Sequence, residues 1–414
     1  MFVPYSRQGI IWLSSCLFWV QITLGQRESL PFDYGWKHRT GLTEWAKPND
    51  LPPTNTDPGF HPNEADPTYD DSDWWDVQLP HDGLIVNGPS KEACPDGCSG
   101  RSYIPRHVLW YRNTFSLPED WLKDHQPSNS TDDSSGKSLI SMEFEGSFRN
   151  TTVWLNGRLV LQHTCGYTPF RIDLDPSLLL RGGDKKQTVA VFVDPDNGPE
   201  GANSHGSGWW YEGGGLYRHV RLVKTNVVHV EPNGLFVKSH FSTLGLGRAS
   251  NVSLLMEASV VGIRQESDLR CYVFELTSPD TTNVIMTTGL KKINLQARQK
   301  EDSSPVLLKG RFDIQDPKMW TSAEPNLYQV DVVLLNDCND ASSELDRVSV
   351  EHGIRKIYFD ANFGFYLNDQ RYKIRGFCDH DTFAVVGMAL PDRINLFRVR
   401  IINQVFLILM ICAF

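Results

Sequence analysis

The residues best suited to chemistry sit together between Gly206 and Val220, in the stretch GSGWWYEGGGLYRHV. Trp209 and Trp210 are adjacent, and Tyr211 and Glu212 follow them. Flat, amphipathic rings of this kind suit stacking on the apolar face of a sugar. Gly213, Gly214 and Gly215 come next; their backbone freedom rules out a helix interior and demands a tight turn. The competing reading is an aromatic corner that plugs a β-sandwich. Other acids offer less. Glu143 and Glu145 alternate on one strand face, where carboxylates at i and i+2 are ordinarily solvated and nothing splits their pKa values. Cys94 and Cys98, in CPDGCSG, suit a small loop disulfide in an oxidising compartment. A metal half-site is the alternative, but no second Cys/His pair with ligand spacing stands nearby, so no metal is expected. The scattered Cys165, Cys271, Cys338, Cys378 and Cys412 predict no pairing. No Ser-His-Asp, P-loop or zinc pattern supplies another chemistry.

The chain that must position these residues has 414 residues, long enough for two to four domains. Asp and Glu number 50 against 40 Lys and Arg, a net charge of −10. That balance argues against nucleic acid or an anionic membrane as partner. Abundant Trp and Gly, with short apolar runs between turn residues, favour an all-β extracellular protein. Residues 1–25 read as a signal peptide: Arg7 is the positive region, Ile10–Val20 the apolar one, and Thr23-Leu24-Gly25 the cleavage site. An anchored N-terminus is the alternative. Secretion, or delivery to a lysosome-like compartment, fits acceptor sequons at Asn129, Asn150 and Asn251.

From Gln26 to Asp71 the chain is rich in Pro, Asp and Asn and is expected to wrap the surface with little regular structure. Strands are predicted at Trp74–His81, Val108–Leu117, Ser138–Glu145, Thr151–Leu155, after Tyr167-Thr168-Pro169-Phe170, and at Gln187–Val193. Asn156-Gly157 between two apolar runs is a two-residue hairpin turn. This is the texture of a β-sandwich. A second set follows at Asn226–Val230, Gly234–Ser239, Asn251–Val261, Arg270–Leu276 and Asn326–Leu335, at immunoglobulin spacing. Short strands are expected at Gly353–Ile357 and Gly364–Asn368, with a turn near Asn368-Asp369. Ile401–Phe414 is almost wholly apolar but too short to span a bilayer.

Taken in order, these motifs make a pattern. WDVQLPHD (75–82), WYRNTF (110–115), EFEG (143–146), VWLNG (153–157), GYTPF (166–170), GGGLYRHV (213–220), HGIRKI (352–357), GFYLN (364–368) and KIRG (373–376) resemble the N-terminal part of a family 2 glycoside hydrolase. That family includes β-galactosidases, β-glucuronidases and β-mannosidases, and the pattern is most similar to the β-galactosidases. The resemblance implies a mainly β architecture. A jelly-roll sugar-binding domain would span residues 26–225, an immunoglobulin-like sandwich 226–355, and the start of a truncated (β/α)8 barrel 356–400, with an atypical apolar tail at 401–414. Its first barrel strand would include Lys373–Phe377. The Gly206–Val220 segment would reach over the barrel mouth, and His380 and Asp381 would stand just after the first strand, where substrate contacts belong. Trp209, Trp210, His380 and Asp381 are thus the candidate substrate-binding residues. An exposed loop is the competing reading for His380.

The resemblance further implies retaining hydrolysis of a terminal β-glycosidic bond, with no cofactor. One glutamate would protonate the leaving oxygen and a second, about 5 Å away, would attack the anomeric carbon. Both would lie deeper in a barrel of roughly 250 residues, so no catalytic residue is assigned here and the chain as given is expected to be inactive. After Arg400 the family-like sequence gives way to IINQVFLILMICAF, which reads as a truncated gene model or alternative transcript. The contrasting expectation is a non-catalytic, lectin-like module. A homo-oligomer is a further expectation.

Overall fold

The computed structural model describes residues 27–41, 62–92, 102–125, 138–180, 186–195, 210–241, 251–263, 269–293, 304–374, 376 and 378–405. Residues 1–25, Trp209, Cys94, Cys98, Asn129 and 406–414 therefore lie outside the described residues. The chain is mainly β.

The first body is a sandwich of ten strands: β1 (Glu28–Pro31), β2 (Trp36–Thr40), β3 (Trp75–Val77), β4 (Leu109–Phe115), β5 (Ser138–Phe144), β6 (Asn150–Leu155), β7 (Arg158–His163), β8 (Phe170–Asp173), β9 (Gln187–Asp194) and β10 (Val220–Asn226). A short helix, α1 (Glu119–Asp124), follows β4. One sheet runs β1-β10-β5-β8 and the other β3-β2-β4-β9-β6-β7. Alternating residues from both fill the space between them, among them Trp36, Tyr111, Ile140, Met142, Phe144, Val153, Val191 and Leu222. Period-two alternation makes this possible, since successive side chains leave a strand on opposite faces. The six-stranded sheet is apolar on its outer face too. There Trp110, Trp154 and Phe192 are covered by Trp74 and Ala65. Asn156 and Gly157 carry φ of 50° and 81°, the left-handed pair that a tight hairpin turn requires.

Residues 26–71 correct the expectation drawn from composition, because β1 and β2 lie inside them. β2 reads WKHRT, and polar types disguise its alternation. Trp36 and His38 are buried, while Lys37 and Arg39 reach out to Asp71 O and the Tyr69 hydroxyl.

The second body comprises β11 (His229–Phe241), β12 (Asn251–Val261), β13 (Cys271–Thr277), β14 (Val284–Thr287), β15 (Lys291–Lys292), β16 (Val306–Gln315), β17 (Tyr328–Leu335) and β18 (Glu344–His352). Its sheets are β11-β12-β16 and β14-β13-β17-β18, with β15 added beside β13. A separate core of Leu254, Met256, Phe274, Phe312, Val330 and Leu334 lies between them. Cys271, at the start of β13, and Cys338, just after the neighbouring β17, form a disulfide, a pairing that the scattered spacing did not suggest.

A small sheet, β19 (Ile357–Asp360), β20 (Gly364–Leu367) and β21 (Gln370–Arg371), comes next, and Asn368 and Asp369 form its left-handed turn. Lys373, Ile374 and Gly376 lie in no strand, against the expected barrel strand. A parallel strand needs neighbours for its backbone groups, and none of the described strands pairs with this segment. The chain then runs into α2 (Asp392–Val405), which takes in the first residues of the apolar tail. No helix among the described residues is long and apolar enough to cross a membrane.

Candidate functional site

The aromatic–glycine stretch is clamped on two sides. Gly83 N donates to Gly214 O at 2.8 Å and His81 N donates to Leu216 O at 2.7 Å, so residues 81–83 grip one edge. Gly215 and Phe148 exchange both backbone hydrogen bonds on the other. The glycines are required there. Gly215 has φ of +118°, and any Cβ would strike the Tyr111 hydroxyl. At Gly213, φ +72°, a Cβ would lie 2.7 Å from both Asp82 Oδ2 and Met388 Cβ.

Asp82 is the organising carboxylate of this region. It accepts hydrogen bonds from the Tyr211 hydroxyl at 2.8 Å, Leu84 N at 3.1 Å and Met388 N at 2.9 Å. It thereby ties the glycine stretch to the segment before α2. Burial pushes its carboxyl above the ordinary aspartate value, against the pull of those donors. His81 Nδ1 lies 3.0 Å from the Tyr111 hydroxyl, and the His38 and His81 rings pack at 4.9 Å. Burial holds His81 down to about 4 and His38 down to about 3. His38 Nδ1 donates to Trp110 O at 3.1 Å; a carbonyl can only accept, so the neutral ring carries its proton there.

Glu212 is buried and forms an ion pair with buried Arg106 at 2.9 Å. The Tyr167 hydroxyl donates to its other oxygen at 3.1 Å. Trp210 stacks on His380, with ring centroids 4.6 Å apart and planes 21° from parallel. Arg218 bonds Asp381 at 3.1 Å, both half in solvent. Arg398 bonds Asp379 and the carbonyls of His380 and Thr382, which fixes the segment that carries His380.

The structure thus brings Trp210, His380 and Asp381 to one surface, although 170 residues separate the tryptophan from the histidine (380 − 210). Sequence reasoning missed Asp82, Arg106 and Tyr167. Asp82 lies within WDVQLPHD, so only its burial was hidden. Arg106 stands in no motif and is known only by its partner. Of the acids weighed, Glu143 lies 4.0 Å from Arg171, Glu145 bonds Arg221 at 3.1 Å, and Glu212 is taken by Arg106. Each is matched to a cation, and none is poised as a proton donor. The arrangement offers a flat aromatic stack beside an exposed ion pair. Among the described residues no group of acids, histidines or cysteines could hold a metal. Asn150 is half-buried at the start of β6 and Asn251 is exposed at the start of β12.

A sandwich with this aromatic surface, followed by an immunoglobulin-like sandwich, defines the class of the fold: successive β-sandwich modules. Residues 254–355 match the family model for glycosyl hydrolases family 2. The chain is 29% identical over 354 residues to a β-galactosidase of Bacteroides ovatus, covering 84% of this chain and 36% of that protein. It is 24% identical over 397 residues to a β-glucuronidase of Formosa agariphila, covering 92% of this chain and 35% of that one. Its fold matches the crystal structure of a β-glycosidase from Bacteroides vulgatus with TM-score 0.68 and 26% identity, over 91% of this chain and 40% of that one. The chain is therefore similar to family 2 glycosyl hydrolases, and its coverage fits an N-terminal portion of such a protein. It spans about a third of the length of these two curated relatives, at 36% and 35%.

Proposed function

We propose that the chain is the substrate-positioning front part of a secreted, exo-acting β-glycosidase that cleaves terminal β-linked galactoside-type bonds with retention. The observation that carries this reading is the Trp210–His380 stack beside the Arg218–Asp381 pair. It places an aromatic face and a charged rim on one surface, the combination that recognises a pyranose. Arg218 is already matched by Asp381, which suits a neutral sugar better than a glucuronate. The acid and the nucleophile are assigned to a barrel that this surface would face, because the local glutamates are each held by an arginine. The Cys271–Cys338 disulfide supports the secretory part of the reading, since such bonds persist in oxidising compartments.

The test is turnover of 4-nitrophenyl β-galactoside, first by the 414-residue chain and then by the product of the message read beyond the Arg400 codon. The expected result is hydrolysis by the longer product alone. Hydrolysis by the 414-residue chain, or none by a longer product carrying a barrel, would sink the proposal.

A further inference from the structure

The contacts around the aromatic stretch close into a ring that includes Tyr167. The Tyr167 hydroxyl donates to Glu212, which Arg106 holds from behind. The Tyr217 hydroxyl donates to Gly166 O at 2.7 Å, one residue before Tyr167. Arg218, next to Tyr217, bonds Asp381, and His380 beside it stacks on Trp210. Trp210 leads back to Glu212 two residues on.

Within this ring Tyr167 is oriented the unusual way round. A surface tyrosine ordinarily buries its ring and leaves its hydroxyl in water. Here the hydroxyl is anchored on a buried carboxylate while the residue as a whole is 57% exposed. The ring is also braced edge-on against Phe148, at 5.4 Å and 69°. Burial together with the neighbouring Glu212 charge raises the Tyr167 pKa, so the hydroxyl stays protonated and stays a donor. A tyrosine has two side-chain torsions, and this one is held at both ends. Its exposed face is therefore presented at a fixed angle, with little ordering left to do when a ligand arrives.

We propose that Tyr167 is a second aromatic platform on this surface, which takes the second pyranose ring of a β-linked disaccharide while Trp210 and His380 take the first. This rests on the reading of the Trp210 surface as sugar-facing. The test is saturation-transfer NMR on the full 414-residue chain with methyl β-D-galactopyranoside and with lactose. Wild type should transfer to both sugars, and to both rings of lactose. Tyr167→Ala should lower transfer to the reducing-end ring about threefold or more, the scale of one aromatic contact, and leave methyl galactoside unchanged. Tyr167→Leu, which keeps apolar bulk but has no flat face, should lose the same signal. Tyr167→Phe keeps the ring and should retain part of it. Lactose transfer that Trp210→Ala abolishes but both Tyr167→Ala and Tyr167→Leu leave intact overturns the platform alone. Transfer from wild type to neither sugar overturns the platform and the sugar-facing reading together.

Discussion

Glu212 and the two buried histidines set the energetics of the site at the scale of single residues. Glu212 and Arg106 are 4% and 5% exposed at the side chain. Removing one partner of such a pair leaves the other charge in a poor dielectric, a loss of about 3–5 kcal/mol. Glu212→Gln should therefore lower the unfolding free energy of the first sandwich, read from urea curves, by that amount, and a change below about 1 kcal/mol would show that water already screens the pair. The histidines give a pH dependence. With His38 held down to about 3 and His81 to about 4, the unfolded chain takes up two protons below pH 6.5 that the folded chain refuses. Stability is thus full above pH 6.5 and falls as the pH drops, by about 2 kcal/mol per histidine at pH 5. Asp82, whose carboxyl burial pushes up, acts in the opposite sense, one group against two. Unfolding curves at pH 7 and pH 5 check this, and equal midpoints would contradict it.

Strands and turns carry the next set of consequences. Gly215→Ala would push a methyl group into the Tyr111 hydroxyl and strain a φ of +118°. It should cost about 3 kcal/mol or more and release the stretch from His81 and Phe148; hydrogen exchange at His81 N, which donates to Leu216 O across the clamp, would report the release. The Cys271–Cys338 bond closes a separation of 67 residues, so its reduction should lower the stability of the second sandwich by about 4 kcal/mol; thermal unfolding with and without dithiothreitol measures it. At this scale much was legible. β12 occupies the predicted Asn251–Val261, and the Asn156-Gly157 turn falls where its residue types require. β16 went unread although Leu308, Phe312 and Ile314 alternate inward along it, because charged outward residues broke up the apolar run. β2 was lost for the same reason. Trp210, His380 and Asp381 could be named from the resemblance, which also put them at one mouth, but the bonding that holds them together could not. It depends on Arg398 and Asp82, whose roles are set by distant backbone and leave no local signature.

On the scale of the whole molecule, two cores stay separate while the C-terminal part is left open. Along α2 none of the described side chains from Asp392 to Ile402 is buried, and Leu396, Phe397, Val399 and Ile401 face solvent. Exposed apolar surface of this kind should bind the dye ANS, and Leu396→Glu with Phe397→Glu should cut the bound-dye fluorescence; unchanged fluorescence would place the binding elsewhere. The Asp82–Met388 bond also has a temporal side. Its partners are 306 residues apart. At about 5–20 residues per second, the ribosome adds Met388 about 15–60 s after Asp82. A nascent chain can complete its first sandwich in that interval, yet Tyr211 and Asp82 must wait for the third member of their bond. The surface that carries Trp210 and His380 is therefore among the last parts of the described chain to be finished during synthesis, and a stalled or prematurely released chain would carry a folded sandwich with an unfinished face.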